Sequence, residues 1–340
     1  MPLTRVTLQD LAREAGVSSA TVDRVLNNRQ GVHPRTRDIV LSAARRIGYL
    51  AEEERAPPER PVRLVFLLPA GTNAFMKVLG AQIEAQAADR PGIEARLEWV
   101  EGFHPEVLAR RLGELGPEVE GVGLVALDHP YVREAIRALA GRGVRVATLA
   151  SDVQGVPRVA YVGIDNRQAG RLAGYVMGRL VGTREEGKVA LFAGSRAYRG
   201  HEEREMGFRS VLAEDFPHLR IVELRETVDD RERAHDEALA VLDAHPDLAG
   251  VYNAGAGNAG LARALGERGA AGRVVLIGHE ATEDNKRLVL EGTMDAAIDQ
   301  NPRVEAREAL NALAAAARNE PYAVVQPRLM IVFRENLPDD

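Results

Sequence analysis

Ala15-Gly16-Val17-Ser18-Ser19-Ala20-Thr21-Val22-Asp23-Arg24-Val25-Leu26-Asn27 is the stretch from which the whole chain can be read. Ahead of it, Leu8, Leu11, Ala12 and Ala15 recur at helical spacing, which predicts a short helix opened by Thr7. Gly16 supplies the positive φ that ends that helix, and the Ser18 hydroxyl is suited to cap the next one. The second helix turns Val22, Val25 and Leu26 inward and leaves Ser19, Ala20, Thr21, Asp23 and Arg24 on a small, polar face. A face of that kind enters a DNA major groove without obstruction. A third helix is expected from Pro34, with Ile39, Val40, Ala43, Ala44 and Ile47 as its stripe.

Charge is distributed in the same sense. Through Tyr49, eight arginines stand against four carboxylates, a net +4 in a chain whose total is −6. A basic head on an acidic body confines phosphate attraction to one end. On pattern alone, a small helical bundle used for protein contacts would also fit.

Val6-Thr7-Leu8-Gln9-Asp10-Leu11-Ala12, Ala15-Gly16-Val17-Ser18, Thr21-Val22, Arg24-Val25-Leu26-Asn27, Thr36-Arg37 and Ile47-Gly48-Tyr49 together resemble the headpiece of the lactose-repressor (LacI/GalR) family of transcription regulators. The resemblance implies a homodimer that places two heads on a palindromic, double-stranded operator. It puts Ser18, Ser19 and Ala20 at the DNA, with Ser19 and Ala20 choosing bases and Arg24 reaching a base edge. Thr7, Thr21, Asn27 and Thr36 would hold phosphates. There are two departures. Asp23 stands where the family usually has serine, so it must accept from a cytosine amino group, pair with an arginine or repel phosphate. Where the family has a minor-groove hinge helix, residues 51–61 hold Glu52-Glu53-Glu54 and Pro57-Pro58. That composition reads as a solvated linker, with Leu50 the one wedge candidate.

With 340 residues, 45% of them hydrophobic, the chain has length for a head of residues 1–50 and a larger body of residues 62–340. Cysteine is absent, which removes disulfides, thiolate nucleophiles and cysteine-based zinc sites. No secretory signal order and no bilayer-length apolar run is visible, so a cytoplasmic protein without membrane contact is expected.

From Val62 apolar runs alternate with helical segments. Strands are expected at Val62–Leu68, Ala95–Val100, Val122–Leu127, Val144–Leu149 and Ala160–Ile164. A second set covers Val189–Phe192, Ile221–Glu226, Val251–Asn253, Val274–Ile277 and Met294–Ile298, with helices between. The fold class is therefore α/β, an all-α helix-turn-helix head followed by two doubly wound parallel sheets. Ligands collect beyond the carboxyl ends of such strands, and there the chain is polar. The candidate effector residues are Asn73, Phe75, Asp128, His129, Asp152, Arg199, His201, Arg204, Asn253, Asn258, His279, Glu280 and Gln300. Carboxylates, amides and a guanidinium beside an aromatic suit a polyhydroxylated ligand.

Residues from Val62 nearly to the C-terminus resemble the two-lobed, type I periplasmic-binding-protein-like core of the same family. Val162-Gly163-Ile164-Asp165-Asn166 with Ala169-Gly170 resembles its crossover, Arg204 before Gly207-Phe208 its ligand-clamping arginine, and Gln300 its return-crossover glutamine. The resemblance divides the core into lobe 1, about 62–164 plus 300–326, and lobe 2, about 165–299 plus 327–340. The usual Asn-Asp after the strand at Val251 is here Asn253-Ala254-Gly255, and the usual Asp pair after Val274 is His279-Glu280. Arginines and histidines nearby admit a sugar acid or sugar phosphate as well as a neutral sugar or polyol.

One motif points elsewhere. Gly255-Ala256-Gly257-Asn258-Ala259-Gly260 fits the dinucleotide fingerprint, with Glu280 about twenty residues on, and leaves open an NAD(H)-binding redox sensor or dehydrogenase. Against it, only the strand at Met294–Ile298 is expected to follow, too little for a dinucleotide fold. His279-Glu280 lacks the second histidine of a zinc helix, and Ser195 lacks the glycines of a nucleophile elbow. No catalytic residue, metal or resident cofactor is expected.

Overall fold

The computed structural model describes residues 7–26, 32–46, 60–182 and 186–338. The chain divides into two compact units at Arg60/Pro61.

The first unit holds α1 (Leu8–Ala15), α2 (Ser19–Leu26) and α3 (Pro34–Arg46). Leu11, Ala12, Ala15, Val22, Val25, Val40, Ala43 and Ala44 form one small core where the three stripes meet. Gly16 has φ +65°, and the Ser18 Oγ accepts from the Thr21 N–H at 3.2 Å, so the turn is built as its residues require. Ile39 departs from expectation. It is 47% exposed because Val40, Ala43 and Ala44 already fill the inner face of α3. Asn27, Ile47 and the Glu/Pro segment lie outside the described residues.

The second unit contains two sheets. Lobe 1 is built on β1 (Val62–Ala70), β2 (Ile93–Glu101), β3 (Gly121–Leu124), β4 (Arg145–Leu149) and β5 (Ala160–Val162), in the order β2-β1-β3-β4-β5 and parallel throughout. Helices α4 (Ala74–Ala88), α5 (Pro105–Gly113) and α6 (Pro130–Gly141) connect them. β1 is buried almost end to end, as a strand covered on both faces must be.

Lobe 2 is built on β6 (Gly187–Ala193), β7 (Leu219–Glu226), β8 (Leu248–Asn253), β9 (Val275–His279) and β10 (Ala296–Asp299), joined through α7 (Asn166–Val181), α8 (Arg199–Asp215), α9 (Arg231–Ala244), α10 (Asn258–Glu267) and α11 (Glu283–Leu290). Alternation along β6 sends Ala190 and Phe192 into one apolar cluster and Val189, Leu191 and Ala193 into another, so both faces of this sheet are covered. A strand absent from the sequence reading, β11 (Met330–Val332), pairs antiparallel with β10 at the edge. Three residues offer no periodicity to detect.

The chain crosses between lobes three times. It passes from β5 into α7, from β10 into α12 (Pro302–Ala317), and from α12 back to β11. Ala306, Ala309, Leu310 and Leu313 of α12 belong to the core of lobe 1, although the helix follows the last parallel strand of lobe 2. Among the described residues no helix is long and apolar enough to cross a membrane.

Candidate functional site

The strand ends of the two lobes face one cleft of about 880 Å³, mouth included, the size range of small-molecule sites. Lobe 1 contributes the β1–α4 loop with Thr72, Asn73 and Phe75, and Ala150 and Ser151 after β4. Lobe 2 contributes Tyr198, His201 and Arg204 after β6, Asp229 after β7, Asn258 after β8, and His279 and Glu280 after β9. Gln300 enters at the second crossover.

Arg204 is held by two helices that meet backbone to backbone. A Cβ at Gly170 of α7 would land on the Arg204 carbonyl, and one at Gly207 of α8 on the Arg167 carbonyl. Arg204, 5% exposed, donates from Nε to Asn166 Oδ1 at 2.7 Å and from Nη1 to the Ala254 carbonyl at 2.9 Å. Asn166 is fixed in turn by donating to the Ala150 carbonyl at 3.0 Å, so the guanidinium is tied to both lobes.

The opposite wall is acidic and deeply buried. Gln300 Nε2 donates to Glu280 Oε1 at 2.6 Å, while Glu280 Oε2 and Gln300 Oε1 have no protein partner. Burial first, and Asp299 second, push the Glu280 carboxyl up to about 8. Behind it Glu305 of α12 is wholly buried with neither oxygen bonded; burial first and then Glu280 raise it well above its usual range. Both histidines are driven toward the neutral form. Burial first, then Arg204, lowers His279, whose Nε2 meets the Tyr252 hydroxyl at 2.9 Å. Burial likewise lowers His201 against the pull of Asp229.

Backbone strain gathers here too. Ala150, Val228, Asp229, Glu280 and Asn301 all have positive φ and lie in or beside the cleft. Each such position costs on the order of 1–3 kcal/mol and persists only where its surroundings enforce it.

Of the residues expected from the sequence, Asn73, Phe75, His201, Arg204, Asn258, His279, Glu280 and Gln300 line the cleft. Asp128, His129, Asp152, Arg199 and Asn253 do not, and each has another occupation. Asp128 accepts from Arg133 Nε at 2.7 Å, and His129 caps α6 by accepting from the Tyr131 N–H at 3.3 Å. Asp152 accepts from Thr148 Oγ1 at 2.7 Å and from Arg158 at 2.6 Å. Arg199 pairs with Glu203 at 2.7 Å. Asn253 is fully buried, donating to Asn258 Oδ1 at 2.7 Å and to the Ala256 carbonyl at 3.0 Å. The sequence reading passed over Asp229 and Tyr198. Asp229 follows β7 and was open to the same strand-end argument as the others.

The glycine fingerprint has a packing explanation within the chain. A Cβ at Gly255 would meet Gly194 and the Asp229 carboxylate, one at Gly260 would meet the Arg231 carbonyl on α9, and Gly257 opens α10 at φ +97°. The Ala256 N–H, which would face a pyrophosphate, donates to Asp229 Oδ1 at 2.8 Å. Among the described residues no group of three or more metal-ligating side chains comes together.

In the head, Thr7, Ser18, Ser19, Ala20 and Arg24 are exposed, and Thr21, Asp23 and Thr36 are half-buried. Ser18 Oγ also lies 2.9 Å from Thr21 Oγ1. Val22 and Val25 point inward, leaving the polar face of α2 available.

A three-helix head followed by two largely parallel sheets whose strand ends face one polar cleft defines a two-lobed α/β core with an attached helix-turn-helix. Residues 64–321 match the periplasmic binding protein domain, and residues 7–52 match the lacI family of bacterial regulatory proteins. The chain therefore belongs, over most of its length, to the family of the periplasmic binding protein domain, and its first fifty residues match the lacI family of bacterial regulatory proteins. It is 57% identical over 44 residues to the HTH-type transcriptional regulator GalS of Salmonella typhimurium, a match covering 13% of each chain. It is 30% identical over 166 residues to catabolite control protein A of Priestia megaterium, covering 48% of this chain and 49% of that one. These matches span less than two thirds of either relative. Among solved structures, GanP, a glucose-galactose binding protein from Geobacillus stearothermophilus, superposes with TM-score 0.75 at 22% identity, covering 82% of this chain and all of that one.

Proposed function

We propose that this protein is a cytoplasmic, homodimeric transcriptional repressor whose affinity for operator DNA is set by a neutral, polyhydroxylated effector in the cleft. One observation carries this reading: a single chain joins a helix-turn-helix with an exposed polar second helix to a cleft floored by buried polar atoms that have no protein partner. Gln300 Oε1 calls for a donor, while Glu280, protonated at neutral pH because burial holds its carboxyl near 8, offers an O–H at Oε2; hydroxyl groups, which both donate and accept, satisfy the two together. The guanidinium of Arg204 is already engaged by Asn166 and Ala254, Arg231 of the same cleft is paired with Asp284, and both cleft histidines are held neutral, so each cationic group is already answered within the protein. Binding controls DNA affinity only insofar as the effector prefers one arrangement of the lobes. Half-exposed Trp99 on edge strand β2 and Val78 on neighbouring α4 offer an apolar surface for the second subunit.

The test is a thermal-shift screen with D-glucose, D-galactose, D-ribose and myo-inositol beside the corresponding sugar acids, sugar phosphates and NAD(H). A compound that binds the native state raises its melting temperature by mass action. A neutral hit that also changes operator binding in an anisotropy assay is the expected result. Stabilisation by acids or phosphates alone would overturn the floor argument, and stabilisation by NAD(H) alone would overturn the sensor reading.

A further inference from the structure

The β7–α9 loop of lobe 2 reaches lobe 1 through Asp229. Its Oδ2 accepts from Asn73 Nδ2 at 3.0 Å, and its backbone carbonyl accepts from Thr72 Oγ1 at 3.0 Å. Its other oxygen, Oδ1, accepts from the Ala256 N–H at 2.8 Å, anchoring the carboxylate within its own lobe. Gly194 and Gly255 lie beneath it, and a Cβ on either would collide with that carboxylate. Two successive non-glycine residues with positive φ, Val228 at 48° and Asp229 at 55°, aim the side chain across the cleft. For a β-branched residue such as Val228 that conformation is a true outlier. The surroundings thus enforce a strained backbone at the point where one lobe takes hold of the other.

Asn73 is equally committed. Its Oδ1 caps α4 by accepting from the Met76 N–H, and its amide nitrogen serves Asp229. The residue expected to contact an effector is instead occupied at both ends by the protein.

We propose that Asp229 is a positioning residue, a lobe-to-lobe latch on Asn73 and Thr72 that holds the cleft closed and sets how long an effector stays inside. The link to residence time rests on the effector reading above; the link to closure does not. Hydrogen bonds to a charged acceptor are strong enough that losing this one should move the closed-to-open ratio by about tenfold or more.

The sequence contains no cysteine, so spin labels introduced at Lys77→Cys and Arg233→Cys, exposed sites on α4 and α9, report the lobe separation in the full-length protein. Asn73→Ser keeps a capping hydroxyl for α4 but is too short to reach Asp229, so it removes the carboxylate bond of the latch without removing the cap, and leaves the Thr72 bond to the Asp229 carbonyl in place. Pulsed dipolar distances, measured without added ligand, should lengthen in Asn73→Ser and in Asp229→Ala. The double variant should match the single ones, because each breaks the same bond. Unchanged distances in Asn73→Ser, or additive shifts in the double variant, would overturn the latch. With the compound found by the thermal-shift screen, the same variants should raise the dissociation rate by about tenfold. A raised off-rate without lobe opening would make Asn73 and Asp229 direct ligand contacts and overturn the proposal. Because the distance measurement needs no effector, its failure is separate from failure of the effector reading.

Discussion

Replacing Glu280 by glutamine should flatten the pH dependence of the core's stability. Burial holds this carboxyl near 8 in the folded chain, against an ordinary value of 4.5. Between those values the folded state keeps a proton that the unfolded state has lost. The stabilisation is therefore complete below pH 4.5, declines as pH rises through 8, and is level above that. Each pH unit in the interval costs about 1.4 kcal/mol per such carboxyl, so Glu280 alone accounts for up to about 5 kcal/mol. Glu305, raised in the same direction by burial and by Glu280, adds to the slope. Glutamine presents an N–H where the protonated acid presents an O–H, and has no charge to expose. Urea unfolding at pH 5, 6, 7 and 8, followed by circular dichroism and by the fluorescence of the single tryptophan, Trp99, measures the slope. The native chain should lose several kcal/mol across this range and Glu280→Gln at least about 2 kcal/mol less. Equal slopes in the two proteins would refute the assignment of a protonated Glu280 in the folded state.

Three further outcomes follow from the geometry. Arg24→Ala should weaken specific operator binding by about 1–3 kcal/mol in anisotropy titrations while leaving effector-induced thermal shifts intact. Arg204→Lys keeps the charge but loses the planar fork that spans Asn166 and Ala254, so calorimetric effector affinity should fall by about tenfold or more with DNA binding retained. Gly170→Ala drives a methyl group into the Arg204 carbonyl at the α7–α8 contact and should cost about 1–3 kcal/mol in urea unfolding.

Much of the fold was legible because its causes are local. The helix after the first strand lies where its periodicity puts it, over Ala74–Ala88, and β1, buried on both faces, was visible as an unbroken apolar run. Strand ends were less so. β3 stops at Leu124, although Val125, Ala126 and Leu127 are as buried as the strand itself, because apolarity records burial and not ladder pairing. The site divides similarly. Arg204 and Gln300 carry family spacing, Glu280 stands at a strand end where the family pattern is departed from, and all three reach the cleft. Asp128 and Asp152 looked equivalent to them in sequence but are taken up by Arg133 and Arg158, neighbours whose direction only the fold decides. Glu305 reads as an ordinary first-turn helix acid, and its burial comes from the crossover that lays α12 against lobe 1.

That crossover also sets the order in which the protein can be completed on the ribosome. The strands of lobe 1 are all synthesised by Val162, yet a helix that fills their core ends only at Ala317. At about 5–20 residues per second, the half-finished sheet waits roughly ten to thirty seconds for its last covering, while the whole parallel sheet of lobe 2 is made in the interval. The lobe begun first receives its last core helix only after the parallel strands of the other have been made. A nascent chain stalled within this window would display the apolar surface destined for Ala306, Leu310 and Leu313, the surface a chaperone would have to shield.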